Sequence, residues 1–111
     1  MPFRSKIRRW EALACCFVML ASPSWGAGPQ VHRIGIDKLE FGPAPGGLHV
    51  NDIVEWTNSD ILQHTATATD GSFDIDLPAG ATGRTILKRA GGVAYVCRFH
   101  PGMKGRLEVA P

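Results

Sequence analysis

Long hydrophobic runs are missing from this sequence. The longest unbroken apolar stretch is Ala12 to Ala21 (ALACCFVMLA), ten residues, whereas a helix needs about 20 to cross a bilayer. No segment can serve as a transmembrane helix. A dominant charge is missing too: twelve Lys and Arg against ten Asp and Glu leave a formal net charge of +2. That balance gives no footprint for nucleic acid. Cysteine is scarce, and three residues are too few for a disulfide-rich scaffold. The Cys-x-x-Cys-His pattern that attaches a c-type haem is absent. There is no internal repeat, no low-complexity segment and no convincing amphipathic helix. Glycine and proline, by contrast, are abundant at 13 and 8 residues of 111. Both punctuate regular structure, so the chain has many turns and short elements. Its length is that of one domain.

The N-terminus has its own grammar. Arg4, Lys6, Arg8 and Arg9 open it, the apolar run follows, and Ser22-Pro23-Ser24-Trp25-Gly26-Ala27 supplies small residues and a helix breaker. Basic, apolar, then small is the order of a secretory signal peptide. Residues 1–26 are expected to be that leader, with cleavage near Gly26 and Ala27. Arg8-Arg9 leaves Sec and twin-arginine export both open. The protein is expected to be periplasmic or otherwise exported. Residues 27–111 then form a single domain with eight Lys/Arg and nine Asp/Glu. Cys15 and Cys16 leave with the leader, so Cys97 is the one cysteine that remains. Exported proteins usually pair their cysteines. A lone thiol there calls for another partner, and a bound metal would also support so small a core.

Within 27–111 the apolar residues fall in short, often alternating runs. Val31, Ile34 and Ile36 mark an early strand, with Leu39 and Phe41 close behind. Gly42 to Gly47 is a turn-rich stretch. Leu48 to Trp56 reads as strand, broken by Asn58, Ser59 and Asp60. His64 to Thr69 is β-branched and alternating. Phe73, Ile75 and Leu77 share one face. Pro78 to Gly83 reads as loop, and Thr85–Leu87, Val93–Cys97 and Leu107–Val109 complete the set. Short strands at spacings near ten residues predict an all-β fold, a Greek-key antiparallel β-sandwich.

The chemistry is concentrated in Tyr95-Val96-Cys97-Arg98-Phe99-His100-Pro101-Gly102-Met103-Lys104-Gly105. Cys97, His100 and Met103 stand at i, i+3 and i+6. Pro101-Gly102 forbids a regular helix there. A loop closing on itself between the last two strands can point a thiolate, an imidazole and a thioether at one centre. Thiolate and thioether are soft donors that select copper over calcium, magnesium or manganese, and a His₂Cys set with a weak axial Met is the blue-copper arrangement. The second histidine is His32, His49 or His64. His64 opens a strand just after a polar corner and so lies at a sheet end. His32 and His49 fit surface positions better.

With these residues in place the chain resembles the cupredoxin family of small type 1 (blue) copper proteins, amicyanin-like and plastocyanin-like. Its Cys-x-x-His-x-x-Met loop is the short, amicyanin-like form. Asp52 to Asn58, His64-Thr65, Gly92 to Cys97 and Gly105 to Val109 stand in the family's order. The resemblance implies one type 1 copper per chain held by His64, Cys97, His100 and Met103. It implies a monomeric one-electron carrier, cycling Cu(II) and Cu(I) between redox proteins, with a c-type cytochrome or a dehydrogenase as candidate partners. It also implies that the residue after the first histidine braces the ligand loop, and that its N–H bonds the cysteine sulfur. Several relatives have Asn there and this chain has Thr65. Gln63 stands where some relatives have Pro.

Two other classes bear comparison. A copper-handling protein that stores or delivers Cu(I) would use the same donors, but the exposed Met- or His-rich tracts of delivery sites are absent. An enzyme with Cys97 as nucleophile needs a base and a group to orient it, and no orienting group is evident. Zinc accepts Cys and His, but Met is a poor zinc ligand and structural zinc sites usually hold more cysteines. The sequence therefore reads as a carrier and not an enzyme.

Overall fold

In Val31–Asp37 and Lys104–Ala110 buried and exposed side chains alternate, as a pleated strand with one face on a core requires. A computed structural model describes residues 28–111 and shows nine strands and no helix among them. The expected leader, 1–26, lies outside the described residues. In chain order the strands are β1 Val31–Asp37, β2 Glu40–Phe41, β3 Leu48–His49, β4 Ile53–Asn58, β5 His64–Ala68, β6 Asp74–Leu77, β7 Thr82–Ile86, β8 Gly91–Val96 and β9 Lys104–Ala110. One sheet has the order β2-β1-β4-β7 and the other β3-β9-β8-β5-β6.

The all-β sandwich is thus what the chain forms, with three departures in detail. Its sheets are mixed: β1 runs parallel to β4, and β3 parallel to β9. Period-two alternation sets which face is buried but carries no strand direction. The stretch Leu48–Trp56 is also not one strand. Asn51 takes a left-handed backbone, φ 77°, and the chain turns there between β3 and β4. At β7 the strand begins at Thr82, inside the stretch expected to be loop. Thr82 pairs with Thr57, and their hydroxyls lie 3.1 Å apart. Cross-strand pairing overrides the local turn preference of the Gly80-Ala81-Thr82-Gly83 segment.

The core lies between the sheets. Trp56 of β4 and Tyr95 of β8 are both fully buried and meet edge to face at 5.5 Å between ring centroids, with Phe73 and Phe41 packed beside them. Such pairs add to the stabilisation that area burial gives. Ile34, Ile36, Leu48, Leu77 and Leu107 fill the remainder. At one end of this core, β5 begins, β8 ends and β9 begins, so His64, Cys97 and the loop 97–103 converge there.

Candidate metal centre

The loop that delivers His64 is shaped by Asn58, which is completely buried at the end of β4. Its side-chain amide donates to the carbonyls of Leu62 and Leu77, at 2.8 and 2.9 Å, and its side-chain oxygen accepts the N–H of Asp60. A buried amide with its donors and acceptor all paired fixes the path of 59–63. His64 then enters β5 opposite Leu77 with its ring fully buried.

The Cys97 loop closes by local turn chemistry. Met103 N–H donates to the His100 carbonyl at 3.1 Å, and Cys97 N–H to the Met103 carbonyl at 3.2 Å. His100 to Met103 is therefore a β-turn, with Pro101 second and Gly102 third. Gly102 has φ 99°, a backbone that only glycine adopts without strain, and Pro followed by Gly is the signature of that turn. The turn brings His100 back over Cys97. Met103 is buried at the start of the returning chain.

Three donor atoms meet as a result. His64 Nδ1 and His100 Nδ1 are 3.1 Å apart, and Cys97 Sγ lies 3.8 Å from the first and 3.5 Å from the second. The circumcentre of a triangle with those sides is about 2.0 Å from each atom, against bond lengths of about 2.0 Å for imidazole nitrogen and about 2.3 Å for thiolate sulfur on a metal such as zinc. The residues therefore fit a metal ion in size as well as in donor type. Among the described residues this is the one group of three such side chains gathered so closely.

Protonation is arranged to match. Asp60 Oδ2 is 2.8 Å from His64 Nε2. The carboxylate also accepts the N–H groups of Lys38 and Leu39 at 2.8 and 3.0 Å. Leu39's N–H, then the His64 ring, hold Asp60 below the usual carboxylate range. An ionised Asp60 can only accept, so His64 Nε2 carries the proton and its Nδ1 lone pair faces the centre. This pairing of a carboxylate with a metal-facing histidine fixes tautomer and ring orientation. At Cys97, burial pushes the thiol up, but hydrogen bonds from His100 and from the Thr65 and Phe99 backbone N–H groups outweigh it and bring it down to about 6. A thiolate at neutral pH is the form that binds metal.

Of the four residues expected at the site, the structure gathers the reactive atoms of His64, Cys97 and His100 and places Met103 on the same closed loop. Thr65 N–H reaches Cys97 Sγ at 3.4 Å and its hydroxyl accepts the N–H of Arg98. Thr65 thus braces the Cys97 loop. His32 and His49 do not join. His32 is part-buried rather than on the surface, with Nε2 on Asp52 at 2.8 Å, and His49 is exposed with Nδ1 on the Gly47 carbonyl. Sequence reasoning saw Asp60 only as a strand breaker. Its position four residues before His64 is the signal that could have marked it.

Sequence comparison gives no matching protein-family model and no matching curated protein. Comparison of folds does find similar structures. Amicyanin from Paracoccus versutus superposes with a TM-score of 0.60 at 22% identity, over 76% of this chain and 83% of that one. A reduced amicyanin variant gives 0.60 at 24% identity, over 75% and 83%. A copper-containing nitrite reductase from Thermus scotoductus gives 0.61 at 25% identity, over 75% of this chain but only 22% of the enzyme. The chain therefore has the cupredoxin fold, and a His-Cys-His set with a loop methionine is the donor set of blue-copper sites.

Proposed function

We propose that residues 27–111 form an exported type 1 copper domain that carries single electrons between redox proteins, with residues 1–26 as the export signal. The observation that carries this reading is the close triangle of His64 Nδ1, His100 Nδ1 and Cys97 Sγ. Bound copper supplies one-electron chemistry between Cu(II) and Cu(I). Cys97 provides the thiolate, His64 and His100 the two nitrogens, and Met103 a weak thioether donor. These donors sit on paired strands and a hydrogen-bonded turn, which resist rearrangement when the charge of the site changes. His64 is sealed from solvent, while His100 is only part-buried on the loop, so His100 is the ligand nearest a docked partner. Exposed Ile61 and Leu62 in the loop entering β5, and Phe99 in the ligand loop, give that end an apolar character suited to brief contact with a c-type cytochrome or a dehydrogenase. Cys97 is a ligand and not a nucleophile. The two imidazoles nearest it face the same centre as the sulfur, and Asp60, the one carboxylate on either ring among the described residues, fixes the metal-facing tautomer of His64.

The test is Cu(II) addition to the purified metal-free protein. The expected result is an intense visible thiolate-to-copper charge-transfer band that disappears in Cys97→Ser. A colourless protein that takes up Cu(I) but not Cu(II) would overturn the carrier reading in favour of copper handling. A band that survives Cys97→Ser would remove Cys97 from the site.

A further inference from the structure

Arg98 follows the cysteine and is tied to the edge strand β6 in two ways that end on the same carboxylate. Its guanidinium reaches Asp74 Oδ1 through Nε at 3.1 Å and Asp76 Oδ1 through Nη2 at 2.8 Å. Its backbone N–H donates to Thr65 Oγ1 at 2.9 Å. Thr65 Oγ1 and Thr67 Oγ1, two residues apart on one face of β5, are 2.9 Å apart, and Thr67 Oγ1 is 2.7 Å from Asp74 Oδ1.

The direction of this ring follows from counting hydrogens. A hydroxyl has one hydrogen to give. Thr67 gives its hydrogen to the Asp74 carboxylate, so Thr65 must donate to Thr67. The Thr65 oxygen is thereby free to accept the Arg98 N–H. Each bond polarises the next toward the carboxylate. The Asp74 and Asp76 side chains are 56% and 66% exposed, and Arg98 is 44% exposed. Exposed ion pairs of this kind stabilise a fold very little. The ring's inner members differ: Thr65 is fully buried, and its own N–H points at the Cys97 sulfur. The backbone N–H that reaches the Cys97 sulfur from β5 is therefore held in place by a chain that ends at the surface.

We infer that Arg98, through the Thr65–Thr67–Asp74 ring, is a positioning residue that holds the Thr65 N–H on the Cys97 sulfur and so tunes the potential of the bound metal. This rests on the copper reading only for the potential. The hydrogen-bond claim concerns the protein without metal. An N–H donor on the sulfur stabilises the electron-rich, reduced state, so loosening the ring lowers the reduction potential.

The test uses Thr67→Val, which keeps the shape and removes the relay, and Thr67→Ser, which restores it. In the metal-free protein, amide exchange followed by NMR should quicken about five-fold at Thr65 and Arg98 in Thr67→Val, the effect of one hydrogen bond. The amides of Ile34 and Leu107 should be unchanged, and Thr67→Ser should behave as the parent. With copper loaded, voltammetry should give a lower potential for Thr67→Val and recovery in Thr67→Ser. Parental exchange at Thr65 and Arg98 would overturn the inference. So would a rise shared equally by every amide, which marks a stabilising role only, or a potential unmoved while the two amides respond. If the parent protein gives no charge-transfer band, the copper reading fails by itself, and the exchange data alone decide whether the ring holds the sulfur bond.

Discussion

Replacing Gly105 with Ala should destabilise this protein far more than one methyl group suggests. Gly105 lies on β9 directly across from Tyr95 of β8. A Cβ at Gly105 would lie 2.6 Å from Tyr95 Cε1, and closer still to Cζ and the phenolic oxygen. Real Cβ atoms do not approach other heavy atoms this closely, so something must move. The Tyr95 ring cannot swing away, because Phe41, Trp56 and Phe73 hold it at centroid distances of 4.7, 5.5 and 6.1 Å. The remaining response is for β9 to lift off β8. Overpacking of this kind costs about 1–3 kcal/mol. In a domain of this size each kcal/mol moves Tm by about 4–8 °C, so a cost of about 2 kcal/mol lowers Tm by roughly 8–16 °C. The same lift disturbs the metal centre, because the turn from His100 to Met103 joins these two strands. Thermal melts of the metal-free protein by circular dichroism give the measurement. Gly46→Ala is the control: nothing lies within 4 Å of a Cβ there, and its Tm should stay level or rise slightly as the unfolded chain loses freedom. A Gly105→Ala protein melting within two degrees or so of the parent would refute the reasoning, since it would mean that the Tyr95 cluster yields without cost.

Two further outcomes are expected. Asp60→Ala removes the acceptor on His64 Nε2 and the clasp on the Lys38-Leu39 turn, where both residues have positive φ, 51° and 60°. Copper affinity by chelator competition should fall about 10- to 100-fold, and an unchanged affinity would show that packing alone orients the ring. At Asp52 the Gln30 N–H, then the His32 ring and the His49 N–H, outweigh burial and bring the carboxyl down to about 2, against about 4 in an unfolded chain. The folded state thus favours the charged form, so this stabilisation is complete above about pH 4 and drains away as pH falls toward 2. Stability measured by urea unfolding should therefore fall less steeply between pH 4 and 2 in Asp52→Asn than in the parent. Parallel curves would mean that Asp52 is not a source of the acid sensitivity.

Much of the protein was legible without coordinates, for local reasons. Alternation in His64–Thr69 and in Phe73, Ile75 and Leu77, with turn residues between short runs, pointed to an all-β sandwich, because burial on one face of a strand needs only period two. Cys97, His100 and Met103 were legible because Pro101-Gly102 closes the loop from within the sequence. Direction and pairing were another matter. That β1 lies parallel to β4, that Thr82 extends β7, and that Asn51 breaks the stretch Leu48–Trp56 depend on partners far along the chain. The site divides the same way. His64 could be singled out from three histidines, but only the fold places its Nδ1 at 3.1 Å from that of His100. Asp60 on the far nitrogen of His64 was marked by its spacing alone, and the ring from Arg98 through Thr65 and Thr67 to Asp74 left no pattern in the sequence. Both rest on hydrogen bonds to side chains, and such bonds depend on ångström distances that only packed sheets determine.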